Sequence, residues 1–210
     1  MKSLLVSFFL ILSIYSSAQG KYENAMLAAL KQSDSTVSQS ELLSLSNRFE
    51  RIAMAEKDKW LPYYYAAMMH VRYVFSLEDK SQADILIDKA EQLAMKADSL
   101  SPANSEISCL KSMIASCRLV VDPMNRYMTF GTVSSRELDN AISQDPFNPR
   151  PHLLRGQGIR FTPEQFGGGC ANAISHLETA YSKFNEFKPQ SELHPSWGLN
   201  ITRDLIKDCK

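Results

Sequence analysis

The chain has no surplus of charge. Across 210 residues, 23 lysines and arginines face 23 aspartates and glutamates. It therefore has neither a basic field to gather phosphates nor a strong acidic one, and nucleic acid is excluded as a partner class. Histidine is scarce and scattered. His70, His152, His176 and His194 make no convincing metal site with another histidine, a cysteine or a carboxylate, so neither a metal nor another cofactor is expected. No Gly-x-Ser-x-Gly elbow occurs, and Cys170 has no histidine partner visible in sequence, which leaves no nucleophilic machinery and points away from an enzyme. No stretch alternates apolar and polar residues as a half-buried strand would. After the first residues no long apolar run follows, so a membrane span is not expected in the mature chain.

The start of the chain is the exception. Lys2 precedes an apolar run from Leu4 to Tyr15, and Ser16-Ser17-Ala18 follows with small residues at the positions a signal peptidase requires. This is the anatomy of a secretory signal over 1–18, cut after Ala18, with a single domain over 19–210 that is periplasmic or secreted. Export exposes four cysteines to oxidation. Cys109 and Cys117 lie eight residues apart in one expected helix. That separation is about 12 Å of rise, too far for a mutual bridge. Cys170 opens one expected helix and Cys209 closes the last. If those helices are antiparallel neighbours, the two sulfurs return to the same end and can bond. The alternative, four small buried apolar residues, stays open.

What the sequence has in quantity is helical periodicity. Ala90, Ala94 and Ala97 share one face of a helix, and Pro102 stands five residues beyond the last. Ser134, Leu138, Ala141 and Pro146 repeat the spacing, and Ala173, Leu177 and Ala180 repeat it again with Asn185 in the proline position. The intervals Ala97 to Ala141 and Ala141 to Ala180 are 44 and 39 residues. A period of about 40 residues with small residues on a helix face marks stacked helical hairpins, none of which can bury its apolar side alone. Periodicity and breakers predict helices over 22–31, 60–75, 82–100, 136–144, 151–160, 171–184 and 197–209. A capping box at Ser38 and Glu41 opens a further one, and another buries Ile107 to Val121. Ser81 is the expected cap of the helix over 82–100. The stretch 124–133 reads as an irregular connection turning at Gly131. Gly156 and Gly158 are expected to face a crowded neighbour. The triple glycine 167–169 reads as a tight turn between helices, with an anion-binding loop as the alternative.

These alanine and proline spacings resemble the second helix of tetratricopeptide repeats, and Trp60 fits the start of a first helix, although Tyr64 stands where that family carries a small residue. Trp60 to Ala66 and Phe166 to Cys170 are also similar to stretches of exported bacterial tetratricopeptide-like proteins. The resemblance implies an all-α, right-handed solenoid of about four hairpins with a C-terminal capping helix. It also implies a non-catalytic scaffold that binds a protein or peptide of the cell envelope in its concave groove. First helices line that concave side, so Tyr63, His70 and Tyr73 form the candidate ligand strip on the helix at Trp60, with Arg118 and Arg155 as carboxylate-binding forks. The competing expectation is that the tyrosines pack between repeats. The competing function is a periplasmic small-solute binder serving a membrane transporter, which a closed apolar pocket with a few polar groups would favour.

Overall fold

The computed structural model describes residues 20–34, 38–81 and 83–210, and these are helices and turns without a strand. The signal over 1–18 lies outside the described residues. The chain runs through α1 (20–33), α2 (Gln39–Ala55), α3 (Trp60–Ser76), α4 (Ala83–Leu100) and α5 (Ser105–Val121). It continues through α6 (Pro123–Arg126), α7 (Thr132–Gln144), α8 (Arg150–Phe161), α9 (Cys170–Glu186) and α10 (Leu199–Asp208). No helix among the described residues is long and apolar enough to cross a membrane.

Local chemistry sets these boundaries. At α2 the capping box forms in full: the Glu41 N–H donates to Ser38 Oγ, and the Ser38 N–H donates to the Glu41 carboxylate at 2.7 Å. In α3, Pro62 sits in the first turn, where its missing N–H leaves no helical bond broken. Asn104 caps α5 by accepting from the Glu106 N–H. Ser81 does otherwise than expected, since both its N–H and its hydroxyl donate to Asp79.

The segment read as irregular is helical. Pro123 ends α5 but occupies the first position of α6, where proline is well tolerated, so one residue serves as stop and start. A π-helical turn, Tyr127–Gly131, then joins α6 to α7, with Gly131 in ordinary right-handed conformation. Wider i to i+5 turns absorb a surplus residue without breaking the helix.

Packing is chiefly between sequence neighbours: α2 on α3, α3 on α4, α4 on α5, α5 on α7, α7 on α8, α8 on α9 and α9 on α10. In addition α3 touches α5, and α5 touches α8. The repeated small positions are the contact faces. Ala90, Ala94, Ala97, Leu138, Ala141, Ala173, Leu177 and Ala180 are all buried. Gly156 belongs to the same device: a Cβ there would lie 2.7 Å from Leu177 Cδ2, whereas Gly158 faces open space.

At the centre α3 is apolar on almost every side, with Tyr64, Ala66, Ala67, Met69, Val71 and Val74 at most 2% exposed, as befits a helix wrapped by others. Phe75, near the end of the helix, is exposed. The 187–198 segment leaves α9 and returns to α3, where Tyr65 donates to the Leu193 carbonyl at 2.9 Å and Trp197 Nε1 donates to Tyr64 Oη at 3.0 Å. This strap ties the last helices to α3. Cys170 and Cys209 are disulfide-bonded with Cα atoms 5.2 Å apart, and Cys109 and Cys117 are free and buried.

Candidate functional site

The residues singled out on α3 do not make an open strip. Tyr63 is half-buried against the core and donates its hydroxyl to the Ala53 carbonyl, while Tyr73 packs on the same core. His70 is buried, with Nδ1 lacking a hydrogen-bond partner, and burial holds its pKa below the ordinary value. The two arginines are engaged too. Arg118 bonds Asp88 and Glu91 of α4, each at 2.6 Å, and Arg155 bonds Asp139 of α7 at 2.6 Å. The five residues are thus held in packing or ion pairs, three on α3 and one each on α5 and α8.

The triple glycine is a turn whose N–H groups are already taken. Gly167, Gly168 and Gly169 donate to the carbonyls of Glu164, Pro163 and Ile159, which leaves none for an anion. A Cβ on Gly168 would fall 1.8 Å from the Thr162 carbonyl oxygen, so only glycine lets the chain pass.

A groove of about 990 Å³ opens elsewhere, where the turns between helices meet the strap. One wall is the turn from α4 to α5, with Pro102, Asn104 and Glu106. A second is the turn from α7 to α8, with Asp145, Phe147 and Asn148. A third is the end of α9, with Lys183, Phe187 and Lys188. The strap adds His194 and Pro195, and Trp60 stands at the start of α3. Phe147 sits between two prolines that hold it out of either helix, and it is 79% exposed. Lys183 Nζ donates to the Pro146 carbonyl at 2.7 Å. The groove therefore offers flat aromatic faces beside two ammonium groups.

Beneath it lies a buried charge cluster. Arg150 is 0% exposed, yet it carries a guanidinium. Glu106 Oε1 accepts from Arg150 and from Asn148, both at 2.8 Å, and the other arm of Arg150 donates to the Pro195 carbonyl at 2.6 Å. The rings of Phe187, Trp197 and Phe184 lie 4.8, 5.1 and 5.8 Å from its Cζ. Cation–π contact suits the weakly hydrated guanidinium, which makes arginine a better buried cation than lysine. Desolvation pushes the Glu106 carboxyl up despite the opposing pull of Arg150. Its Oε2 is buried without a partner. The cluster joins α5, α8, α9 and the strap, so it fixes three walls of the groove at once.

His194 has its own support. Its Nδ1 lies 2.8 Å from Ser191 Oγ, and its ring meets the edge of Trp60 at 5.8 Å between centroids. Burial lowers its pKa below the usual histidine value, so it is neutral at physiological pH. Among the described residues no group of three or more histidine, cysteine, aspartate or glutamate side chains could enclose a metal ion.

Among solved structures, the HusA haemophore from Porphyromonas gingivalis is 38% identical, superposes with a TM-score of 0.81, and is matched over 90% of this chain and 92% of that one. The chain belongs to the HusA family. No protein-family model and no curated protein matches it. Within the HusA family the fold is all-helical, and the features this chain brings to its groove are residues that sequence reasoning passed over. These residues stand in or beside the 145–149 turn and the 187–198 strap, outside the repeat pattern. An aromatic flanked by prolines, and a lysine-rich turn rejoining a histidine, were the signals available.

Proposed function

We propose that the chain is an exported, non-catalytic haem-capture protein that holds the planar tetrapyrrole in the groove between the helix turns and the strap. The observation that carries this reading is the 38% identity to a haemophore along nearly the whole of both chains. The groove supports it by size, since small-molecule and cofactor sites occupy about 300–1,000 Å³. Trp60, Phe147 and Phe187 supply flat faces for ring stacking, and Lys183 and Lys188 supply cations for the carboxylates at the ring's edge. We read the pairs α1/α2, α3/α4, α5/α7 and α8/α9, closed by α10, as tetratricopeptide-like hairpins of a right-handed stack. The signal-like start supports the export in this reading. This is nearer to the small-solute binder than to a peptide scaffold, because the tyrosine strip on which a peptide would lie is engaged in packing.

Titration of the mature chain with ferric haem tests it, read by quenching of tryptophan fluorescence and by the haem absorption band. Saturable one-to-one binding is expected. Phe147→Ala and a Lys183→Ala/Lys188→Ala pair should each weaken it by about tenfold, the loss of roughly one good contact. Binding that ignores all three substitutions would remove the groove from consideration.

A further inference from the structure

We infer that the chain has a second binding site, remote from the groove, that takes a single carboxylate carried on an apolar body. It is a cleft of about 420 Å³ where α8 ends and α9 begins, with Arg160, Phe161, Pro163, Glu164 and Cys170 among its walls. Arg150, beneath the groove, opens α8, and Arg160 stands in its last turn, about 15 Å further along the axis. The two sites thus lie at opposite ends of one helix, and the cleft does not depend on what the groove holds.

Arg160 is the residue that the fold leaves unmatched. Its guanidinium meets no carboxylate or carbonyl among the described residues, and its Nε is buried without a partner. The last carbonyls of α8, which would ordinarily hold a cation in this turn, are occupied: Gly158 accepts from Thr162, and Ile159 accepts from Thr162 and Gly169. A desolvated donor left unmet costs free energy, and a carboxylate that fills the guanidinium fork removes that cost. Beside the cation, the Phe161 ring is 69% exposed with its centre 5.8 Å from Arg160 Cζ, and with Pro163 it makes an apolar wall. The Cys170 N–H, at the uncapped start of α9, has no acceptor among the described residues and adds a field of the same sign. Glu164 limits the charge. Its carboxylate packs over Gly169, where Oε1 would lie 3.0 Å from an added Cβ, and it bonds neither Arg160 nor the Cys170 N–H. One guanidinium, the partial charge of the helix end and one carboxylate leave a net charge of about +0.5, which suits a monocarboxylate and disfavours a phosphate dianion. The walls are fixed in advance. Asn172 Nδ2 donates to the carbonyls of Gly167 and Gly168, both at 3.1 Å, and Cys170 is bridged to Cys209.

The test titrates the isotope-labelled mature chain with N-acetyl-phenylalanine and follows backbone N–H and arginine Nε–H signals by NMR. Saturable shifts are expected at Cys170, Ala171 and the Arg160 Nε–H, and none from N-acetyl-phenylalaninamide, which has the same body without the charge. Arg160→Gln should weaken binding by about tenfold or more. Phenyl phosphate should bind more weakly than the carboxylate, and Glu164→Gln should tighten both. Equal binding of the amide would overturn the site, as would an unchanged affinity in Arg160→Gln or shifts at Asn104 and Asn148 of the groove in place of those at α9. Phenyl phosphate binding as tightly as the carboxylate would overturn the ligand class. The wild-type titration needs no substitution, so absence of shifts at Cys170 and Arg160 overturns the proposal even if a variant fails to fold. A peptide ending in phenylalanine with a free carboxylate that binds more tightly than the single residue assigns the cleft to a polypeptide end, and equal binding assigns it to a small acid; the site stands in both.

Discussion

Arg150 shows what one side chain does here. Its guanidinium is fully buried, paired with Glu106 and ringed by three aromatics. Arg150→Ala leaves a buried carboxylate without its partner and should cost about 3–5 kcal/mol, read as a lower urea midpoint. The glycines of α8 give a matched pair. Gly156→Ala drives a methyl into Leu177 and should destabilise by about 1–3 kcal/mol. Gly158→Ala meets nothing within 4 Å and should stabilise by about 0.5–1 kcal/mol through reduced freedom of the unfolded chain. Thermal melting of the two variants, moving in opposite directions, checks both. Sequence reasoning treated these glycines alike because composition does not say which side of a helix a neighbour occupies. It passed over Arg150 because a lone arginine after a proline carries no mark of burial.

At the scale of elements, Cys170 and Cys209 join the first turn of α9 to the end of α10. Without the bridge, α10 is held by Thr202 and Leu205 as its buried residues. A Cys170→Ser/Cys209→Ser chain should lose about 2–4 kcal/mol, the usual worth of closing a loop of this length, and should show the earliest hydrogen exchange in α10. The helices were legible where small residues recur on one face, as at Ala90, Ala94 and Ala97, since that pattern states both period and contact. The capping box at Ser38 was legible because its chemistry is local. The 124–133 stretch was not, because Pro123 obeys two opposite rules at once and only its neighbours choose between them. The groove was not legible either, since Phe147, Lys183 and His194 come together only when three turns converge.

For the whole molecule, acid is the telling variable. Burial holds His70, His152, His176 and His194 below their ordinary value of 6.5. For His70 the Glu50 carboxylate opposes this and Lys89 adds to it. A base whose folded pKa is lowered binds fewer protons folded than unfolded, so stability is full above 6.5 and is lost as pH falls through that value towards the folded pKa. Urea midpoints at about pH 7.5 and about pH 5 should differ, the acid one lower, and His70→Gln should narrow the gap.

The bonds from Leu193 and Trp197 back to Tyr65 and Tyr64 span 128 and 133 positions of sequence. A polypeptide made from its first residue onwards must therefore wait for nearly its final ones before the central helix is covered. Removing the tail would undo the middle, so this protein cannot be shortened by whole units in the manner of an open-ended array, and it should melt as one body from either end.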